Sequence, residues 1–454
     1  MTQEPERAAT PVAEFRARHP RLEFVEAFLS DVNGIARGKR LPAHALERLY
    51  ADGLCLPAST VLLDIWGNEV EATGLIFDTG DADRYCHPVP DGLRPLPWSD
   101  GRGAQLLLAM HDAAGAPWIG DPRNVLAAVA ARFRDRGQQP VVATELEFRL
   151  FDPEPAGDGS PRPLASLGQG ASQLFGMEEL DVLDGLFSDI DRACAEQGLP
   201  ADTVIAEQSD GQYEVNLRHV ADPLLAADQA VLFKRTVKAV ARRHGLVASF
   251  MAKPFGDQAG NGLHIHVSLL DHDGDNLFAG DGDGAERLRH AVGGLCATMP
   301  DSMALFAPHA NSWRRFQPYA HVPLAPTWGH DNRTTAVRIP LSKPQATRVE
   351  HRVAGADANP YLVVAAVLAG VEHGLEQALA PPPETRGNAF EQATTAALPT
   401  HWDAALQAFE GSDFIAAAVD PEYRRLYAAV KRQELETFRR RVPRHEYETY
   451  LTTA

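Results

Sequence analysis

Several segments of the chain alternate apolar residues with side chains that bind metals or anions. In the segment 145–150 (ELEFRL), apolar residues alternate with two glutamates and an arginine. The segment 263–267 (LHIHV) places two histidines between three aliphatic residues in the same way. Because side chains two apart in a strand point to the same face, each segment predicts a strand with one core-facing and one polar face. We interpret the polar faces as the lining of a cavity for divalent cations and polyanionic ligands.

Helical patterns separate these strands along the chain. Asp121 and Pro122 open one helix with a capping side chain and a proline at the first helical position, and Gly137 stops it. Further helical patterns cover residues 178–198 and 285–300. Strands with polar faces of period two, separated by long helices, predict an α+β domain with a mostly antiparallel sheet.

The composition divides the chain into three regions. Residues 1–12 are polar and predict a disordered tail. Residues 13–118 contain short strands broken by Gly and Pro and predict a small β-rich N-terminal domain. Residues 119–454 carry the alternating segments and predict a larger catalytic domain.

The charge balance excludes some classes of partner. The chain has 43 Lys plus Arg against 61 Asp plus Glu, a formal net charge of −18. This balance disfavours nucleic acid and membrane partners, since anionic surfaces need clustered basic side chains, and it suits a protein that holds cations. The first residues are polar and no apolar run approaches a membrane-spanning length, which predicts a cytoplasmic protein.

Each motif taken alone also has an ordinary structural explanation. Glutamates two apart are common on the exposed face of an amphipathic strand, and two histidines two apart are often ordinary strand residues. Together, carboxylates and imidazoles form a ligand set that Mg²⁺ and Mn²⁺ accept, and such ions would bridge the phosphates of a nucleotide. Several arginines follow between residues 314 and 352, and arginine suits bidentate binding of carboxylate and phosphate.

In this order, the segments resemble those of the glutamine synthetase family. The resemblance runs from LSDVNGIARGKR at 29–40 to RVEHRVAGADANPYL at 348–362. It implies a small β-grasp-like N-terminal domain and a large catalytic domain with a curved, mostly antiparallel sheet flanked by helices. It also implies a homo-oligomer, a double-ringed dodecamer with active sites between subunits. The implied ligands are ATP, L-glutamate and two or three Mg²⁺ or Mn²⁺ ions, and the implied intermediate is γ-glutamyl phosphate.

The resemblance assigns metal ligands and nucleotide contacts to residues of this chain. The ligands of one metal are matched by Glu147, Glu207 and Glu214. Those of a second metal, nearer the phosphates, are matched by Glu145, His264 and Glu350. Positions near the nucleotide are matched by His266 and Arg348.

The resemblance also assigns substrate-binding and catalytic residues. The glutamate-binding arginines are matched by Arg315 and Arg352, and the loop against which glutamate packs by Gly260 and Gly262. The arginines that stabilise the transferring phosphoryl group are matched by Arg333 and Arg338. The aspartate that reaches an adjacent subunit's site and helps bind and deprotonate ammonium is matched by Asp31.

Two positions depart from the family pattern. Glutamine synthetases carry a glutamate in the flap that completes the ammonium pocket, and this position is His321 here. A neutral imidazole is a poorer partner for a small cation than a carboxylate, although it still accepts a proton. The tyrosine that bacterial glutamine synthetases adenylylate has no counterpart, because no tyrosine lies between Tyr361 and Tyr423 and Phe390 occupies that region.

The N-terminal segments favour one subgroup of the family. The stretches DVNGIARGKR, LPAST, DIWGNEVEATG and DTGDADR are similar to those of γ-glutamylpolyamine synthetases. This resemblance implies an ATP-dependent ligase that joins the γ-carboxyl of L-glutamate to a primary amine, either a polyamine or a small monoamine. The alternatives are a glutamine synthetase that uses ammonium and a catalytically silent glutamine-synthetase-like protein with a structural or regulatory role.

Overall fold

The structure, a computed structural model, describes residues 11–157, 159–320, 322–391 and 397–454. Within these ranges the chain forms a five-stranded and an eight-stranded β-sheet with helices packed around them. This is the α+β arrangement that the sequence predicts. None of the described helices is long and apolar enough to cross a membrane.

The first sheet is formed by the N-terminal part of the chain. Its strands are β1 (Phe24–Ser30), β2 (Ala36–Pro42), β3 (Leu54–Pro57), β4 (Asp83–Pro95) and β5 (Gly103–His111). The helices of this region are α1 (Pro11–Arg18) and α2 (Leu46–Asp52). The strand order is β2-β1-β5-β4-β3, with β1 and β5 parallel and the other neighbours antiparallel. Val25, Ala27 and Leu29 are fully buried, so one face of β1 forms the core of this region.

The larger sheet carries the alternating segments. Its strands are β6 (Gln139–Phe151), β7 (Ala201–Ala206), β8 (Gln212–Val220), β9 (Val247–Ser249), β10 (Leu263–Leu270), β11 (Trp328–His330), β12 (Val337–Ile339) and β13 (Val349–His351). The strand order is β11-β12-β13-β10-β6-β8-β7, and β9 pairs with β6. The neighbours are antiparallel except for β11 and β12. As predicted, Leu146, Phe148 and Ile265 are fully buried on the core face.

Helices cover the core face of this sheet and extend to the C-terminus. They are α3 (Pro122–Asp135), α4 (Met177–Val182), α5 (Asp184–Glu196), α6 (Pro223–Arg243), α7 (Asp283–Phe306), α8 (Pro360–Glu376), α9 (Trp402–Gly411), α10 (Asp413–Val419), α11 (Pro421–Arg440) and α12 (Arg444–Tyr450). The side chains of Asp121, Asp222 and Asn359 cap α3, α6 and α8, each followed by a proline at the first helical position. Helices α6 and α8 contact β6 and β10 respectively.

Three local predictions were wrong. The predicted helix 178–198 is two helices, α4 and α5, which meet at Leu183. Helix α7 does not end at Pro300 but continues to Phe306, because burial of its last turn offsets the hydrogen bond that proline cannot donate. The predicted tail 1–12 is too long, since α1 begins at Pro11 and buries Val12 in the core.

Candidate active site

The register of the large sheet brings the predicted metal ligands onto one face. His264 of β10 pairs with Glu145 of β6, and Glu147 pairs with Glu214 of β8. On the other side of β10, His266 pairs with Glu350 of β13. Because directly paired residues point to the same side of a sheet, these polar side chains line one shared concavity opposite the core.

Glu145 lies at the centre of this face and is held by three hydrogen bonds. Its carboxylate accepts from Nδ1 of His264 at 3.0 Å, from Nε2 of His266 at 2.8 Å and from Nδ2 of Asn216 at 3.1 Å. Burial alone would raise the pKa of Glu145, but the bonds from His264 and His266 hold it well below its usual value. Glu145 is therefore a fixed anion.

Glu350 is fully buried and is neutralised by two arginines. Nη1 of Arg338 donates to Oε2 of Glu350 at 2.9 Å, and Nη1 of Arg352 donates to Oε1. Burial acts to raise the pKa of Glu350, but the charges of Arg352 and of the neighbouring histidines lower it to about 2. The Glu350 side of the concavity is therefore charge-compensated within the protein.

The opposite side of the concavity has unneutralised carboxylates. Burial, followed by the charges of Glu145, Glu147 and Glu207, raises the pKa of Glu214 to about 9. Burial and Glu147 raise the pKa of Glu207 to about 7. Glu207 lies in the turn after β7, where its N–H donates to the carbonyl of Gln212 at 2.9 Å. If all were ionised, these carboxylates would carry more negative charge than their surroundings neutralise, so the group binds protons near neutral pH.

The side chains fit hard divalent cations. Ligand atoms of Glu145, Glu214 and His264 lie within 4.8 Å of one another, and so do those of Glu145, His266 and Glu350. Carboxylate oxygens with one imidazole form a donor set suited to Mg²⁺ or Mn²⁺. The raised pKa values of Glu207 and Glu214 give an independent reason, since a cation would relieve their mutual repulsion. The geometry thus places His266 beside Glu145 and Glu350, two predicted ligands of the second metal, whereas the resemblance assigned His266 to the nucleotide.

Arg315 and two glycines form the floor beside Glu147. Arg315 is buried, and its Nη1 donates to the carbonyl of Val353 at 3.0 Å. A Cβ on Gly260 would lie 2.8 Å from Cγ of Arg315, and one on Gly262 would lie 3.1 Å from Nε2 of His264. Gly260 therefore requires glycine, because its Cβ would also lie 2.6 Å from the backbone carbonyl oxygen of Ala252, whereas a Cβ on Gly262 would press against His264.

Glu147 is fixed against the same loop. Its Oε2 accepts from the N–H of Gly262 at 2.8 Å and from Nε2 of Gln212 at 3.4 Å. Nε2 of Gln212 also donates to the carbonyl of Gly260 at 3.0 Å and to Oδ1 of Asn261 at 3.1 Å. Sequence reasoning missed Gln212 and Asn216, although both follow the period-two pattern of Glu214 on β8. That alternation is the signal that could have found them.

Arg333 and Arg338 approach the concavity from its β12 edge. Besides its bond to Glu350, Arg338 donates from Nη2 to Oδ1 of Asp331 at 2.6 Å. Arg333 is exposed in the turn after β11, and its charge acts to lower the pKa of Glu207. Arg338 therefore contacts Glu350, while the positive charge of Arg333 acts on Glu207.

A cavity of about 650 Å³ opens beyond Glu145. Its lining includes His266 and Arg348, and Nε of Arg348 donates to Nδ1 of His266 at 3.2 Å. This bond leaves Nε2 of His266 protonated, as its bond to Glu145 requires. The structure thus brings both residues predicted near the nucleotide to one cavity wall, and this volume is typical of a small-molecule site.

Two predicted site residues are not joined to this group. Asp31 follows β1, and its buried carboxylate accepts from the N–H groups of Asn33 at 2.9 Å and Ile35 at 2.8 Å and from Nε of Arg37 at 2.8 Å. Burial raises the pKa of Asp31 to about 6. His321 lies outside the described residues.

Comparisons with known proteins agree with this geometry. A family model described as the catalytic domain of glutamine synthetase matches residues 119–450. The chain is 40% identical over 448 residues to gamma-glutamylputrescine synthetase PuuA of Escherichia coli (strain K12), covering 98% of this chain and 94% of that protein. It is 33% identical over 413 residues to gamma-glutamylethanolamide synthetase GlnA4 of Streptomyces coelicolor (strain ATCC BAA-471 / A3(2) / M145), covering 90% and 88% respectively.

The fold has a close counterpart among solved structures. A GmaS/ADP complex superposes with a TM-score of 0.85 at 28% identity, covering 98% of this chain and 100% of that chain. This similarity confirms the predicted combination of a small N-terminal sheet and a large, mostly antiparallel sheet. With the family match over residues 119–450, it shows that the chain is a member of the glutamine synthetase family.

Proposed function

We propose that the protein is an ATP-dependent ligase that joins the γ-carboxyl of L-glutamate to a primary amine. The observation that carries the proposal is the concavity of carboxylates and imidazoles around Glu145, bordered by Arg315, Arg338 and Arg352. Such a face suits a reaction in which phosphoryl charge must be neutralised beside a bound carboxylate. The similarity to two glutamate–amine ligases, at 40% and 33% identity, favours an amine as the second substrate.

The glutamate end of the site depends on arginines. In this proposal Arg315 and Arg352 pair with the α-carboxylate of glutamate. Gly260 and Gly262 leave room for the end of glutamate that carries its α-amino and α-carboxylate groups. Arg333 and Arg338 neutralise the transferring phosphoryl group. A γ-carboxylate oxygen attacks the γ-phosphorus of ATP, ADP leaves, and the acyl phosphate forms.

The metal end depends on the carboxylates. Glu147, Glu207 and Glu214 would hold one Mg²⁺ or Mn²⁺, and Glu145, His264 and Glu350 would hold another. When bound, these ions supply positive charge that offsets the phosphate oxygens. His266 and Arg348 would contact the nucleotide in the 650 Å³ cavity, and the similarity to a protein solved as an ADP complex supports a nucleotide as the ligand.

The amine end completes the reaction. The amine nitrogen attacks the carbonyl carbon of γ-glutamyl phosphate, inorganic phosphate leaves, and the nitrogen loses a proton. Asp31 of the partner subunit, with His321, would accept that proton. The raised pKa of Asp31, about 6 in the isolated chain, suits a carboxylate that exchanges protons near neutral pH.

We also propose the double-ringed homododecamer of the family. Helix α12 is exposed along its whole length. It presents Tyr447 and Tyr450 to solvent in the single chain, and Val442 and Leu451, which flank the helix, are exposed as well. Exposed aromatic and aliphatic side chains on an ordered terminal helix favour burial against another subunit. Such an assembly would also bring Asp31 to a neighbouring site.

The experiment that tests the function is glutamate-dependent release of phosphate from ATP with different nitrogen donors. We expect strong stimulation by primary amines and weak stimulation by ammonium, because His321 replaces the carboxylate of the ammonium pocket. Equal or better stimulation by ammonium would instead establish a glutamine synthetase, which the catalytic-domain match also allows. The absence of turnover with every donor would favour a silent member of the family.

A further inference from the structure

Arg149 is the third polar residue of the alternating segment on β6, after Glu145 and Glu147, and it takes no part in the proposed reaction. By the same period-two spacing it lies on the concave face, where it pairs directly with Gln212 of β8. Its side chain is fully buried, and arginine keeps its positive charge inside proteins. Because an unneutralised charge is costly to bury, its surroundings must compensate it.

The guanidinium of Arg149 joins two segments through neutral oxygens. Nη1 donates to Oε1 of Gln258 at 2.8 Å. Nη2 donates to Oε1 of Gln212 at 3.3 Å and to the carbonyl of Ala259 at 3.5 Å. Among the described residues, no carboxylate forms an ion pair with Arg149. Its charge is therefore compensated by amide dipoles at the start of β8 and in the loop 256–262.

The contact with Arg149 fixes the direction in which the side-chain amide of Gln212 points. Because Oε1 accepts from Arg149, the amide nitrogen faces the other way. There Nε2 donates to Oε2 of Glu147 at 3.4 Å and to the carbonyl of Gly260 at 3.0 Å. A reversed amide would place its oxygen against these two acceptor oxygens, which repel it. Arg149 thus lets Gln212 bind a predicted metal ligand and the glycine loop at the same time.

The loop 256–262 ends at the surface proposed for L-glutamate. Cβ atoms on Gly260 and Gly262 would lie 2.8 Å and 3.3 Å from side-chain atoms of Arg315. The N–H of Gly262 donates to Oε2 of Glu147 at 2.8 Å. A shift of this loop would therefore move the glutamate surface and the Glu147 carboxylate together.

We infer that Arg149 is a positioning residue for the binding of L-glutamate. With Gln212, it holds the loop 256–262 against Glu147, and it does so without touching substrate itself. The inference rests on the proposed ligase function, because that function places glutamate on this loop. Loss of the guanidinium should weaken glutamate binding and leave the nucleotide cavity, which opens beyond Glu145, unchanged.

The test compares Arg149→Met with Arg132→Met in phosphate release at a saturating amine concentration. Arg149→Met should raise the KM for L-glutamate about 10-fold, the size typical when a group that orients a ligand-binding residue is lost, and change the KM for ATP less than about 2-fold. Arg132 of α3 is half-buried and donates to the carbonyls of Ala417 and Ala418, outside the concavity. Its substitution is the matched control and should preserve both KM values.

Amide hydrogen exchange gives a readout that does not depend on turnover. In the ligand-free protein, the peptide covering 256–262 should exchange about 10-fold faster in Arg149→Met, while the peptide covering α8 exchanges as in the wild-type protein. Gln258→Ala, at a half-buried position, removes one acceptor and keeps the charge, so it serves as the second variant if Arg149→Met does not fold. It should raise both the exchange rate and the KM for L-glutamate by about 3-fold, the effect of one hydrogen bond.

The failure of this inference differs from the failure of the proposed function. An unchanged KM for L-glutamate, equal rises in the KM values for L-glutamate and ATP, or the same rise in Arg132→Met would overturn the positioning role and leave the ligase standing. Unchanged exchange of 256–262 in both variants would overturn it as well. If the wild-type protein releases no phosphate with any nitrogen donor, the proposed function fails, and the exchange rates alone decide whether Arg149 holds the loop.

Discussion

The two sides of the carboxylate concavity differ in how their charge is compensated. On one side, Glu145 is held by two histidines and Glu350 by two arginines, and both have pKa values below their usual range. On the other side, Glu207 and Glu214 face other carboxylates, and both have raised pKa values. On the first side, the protein's own side chains neutralise the carboxylates. On the second side, the carboxylates are fully neutralised only when a cation binds.

The difference distinguishes contacts that stabilise the fold from contacts that serve ligand binding. Removing a carboxylate from the compensated side should leave arginines unpaired and damage the fold. Removing one from the uncompensated side should relieve repulsion and damage only cation binding and turnover.

The largest effect is expected for Glu147→Ala, which removes a carboxylate that accepts from the glycine loop and whose charge acts on Glu214 of the uncompensated side. Turnover should fall by on the order of 10³-fold or more, because metal and phosphate charge would no longer be balanced. The fall in turnover is measured as the rate of phosphate release at saturating substrate concentrations. Glu154→Ala, at an exposed position away from the concavity, is the control. Unaffected turnover in Glu147→Ala would show that this face is not the metal site.

On the compensated side, Glu350→Gln should destabilise the protein. It leaves Arg338 and Arg352 without their buried carboxylate, a loss of about 3 kcal/mol in the free energy of unfolding. Denaturant unfolding of the metal-free protein measures this change in the free energy of unfolding. The exposed pair of His330 and Glu384 gives the contrast, since Glu384→Gln should cost less than about 1 kcal/mol. Equal effects of the two substitutions would remove the distinction between the sides.

On the uncompensated side, Glu214→Gln should stabilise the metal-free protein. The folded pKa of about 9 lies above the ordinary value of 4.5, so the wild-type fold loses stability as the pH rises between these values. The amide variant lacks this loss and should gain about 2 kcal/mol at pH 7. Unfolding measured from pH 5 to pH 9 should therefore show a shallower decline in the variant. A destabilised variant would contradict the repulsion.

The smallest effect is the release of protons when the cation binds. At pH 7.5 the Glu214 carboxyl is protonated and Glu207 is partly so, whereas metal ligands must be deprotonated. Binding of Mn²⁺ should therefore release about one proton per chain, decreasing above pH 9. Calorimetric titrations in buffers of different ionisation enthalpy count these protons. A count of zero at pH 7.5 would mean that Glu207 and Glu214 are already charged.

The strand faces could be predicted from the sequence because their pattern is local. The alternation in 145–150 and 263–267 fixes which side chains share a face, and the Asp121–Pro122 cap fixes where α3 begins. Register between strands is not local, so the sequence did not reveal that Glu147 pairs with Glu214. The family resemblance supplied that grouping instead.

Other features depended on tertiary contacts. The break at Leu183 and the passage of α7 through Pro300 are set by packing that overrides local preference. The turn that holds Glu207 depends on its bond to Gln212. The placement of Asp31 in a neighbouring site depends on a second subunit and stays a prediction.

The most direct test of the proposed ligase is a competition between nitrogen donors. The protein would be incubated with L-glutamate, ATP, Mg²⁺ and equal concentrations of ammonium and a panel of primary amines, including putrescine, spermidine, ethanolamine and short alkylamines. Mass spectrometry of the products should show a γ-glutamyl amide of a primary amine in excess over glutamine. Glutamine as the main product would contradict the amine assignment, and the absence of any amide would contradict the ligase itself.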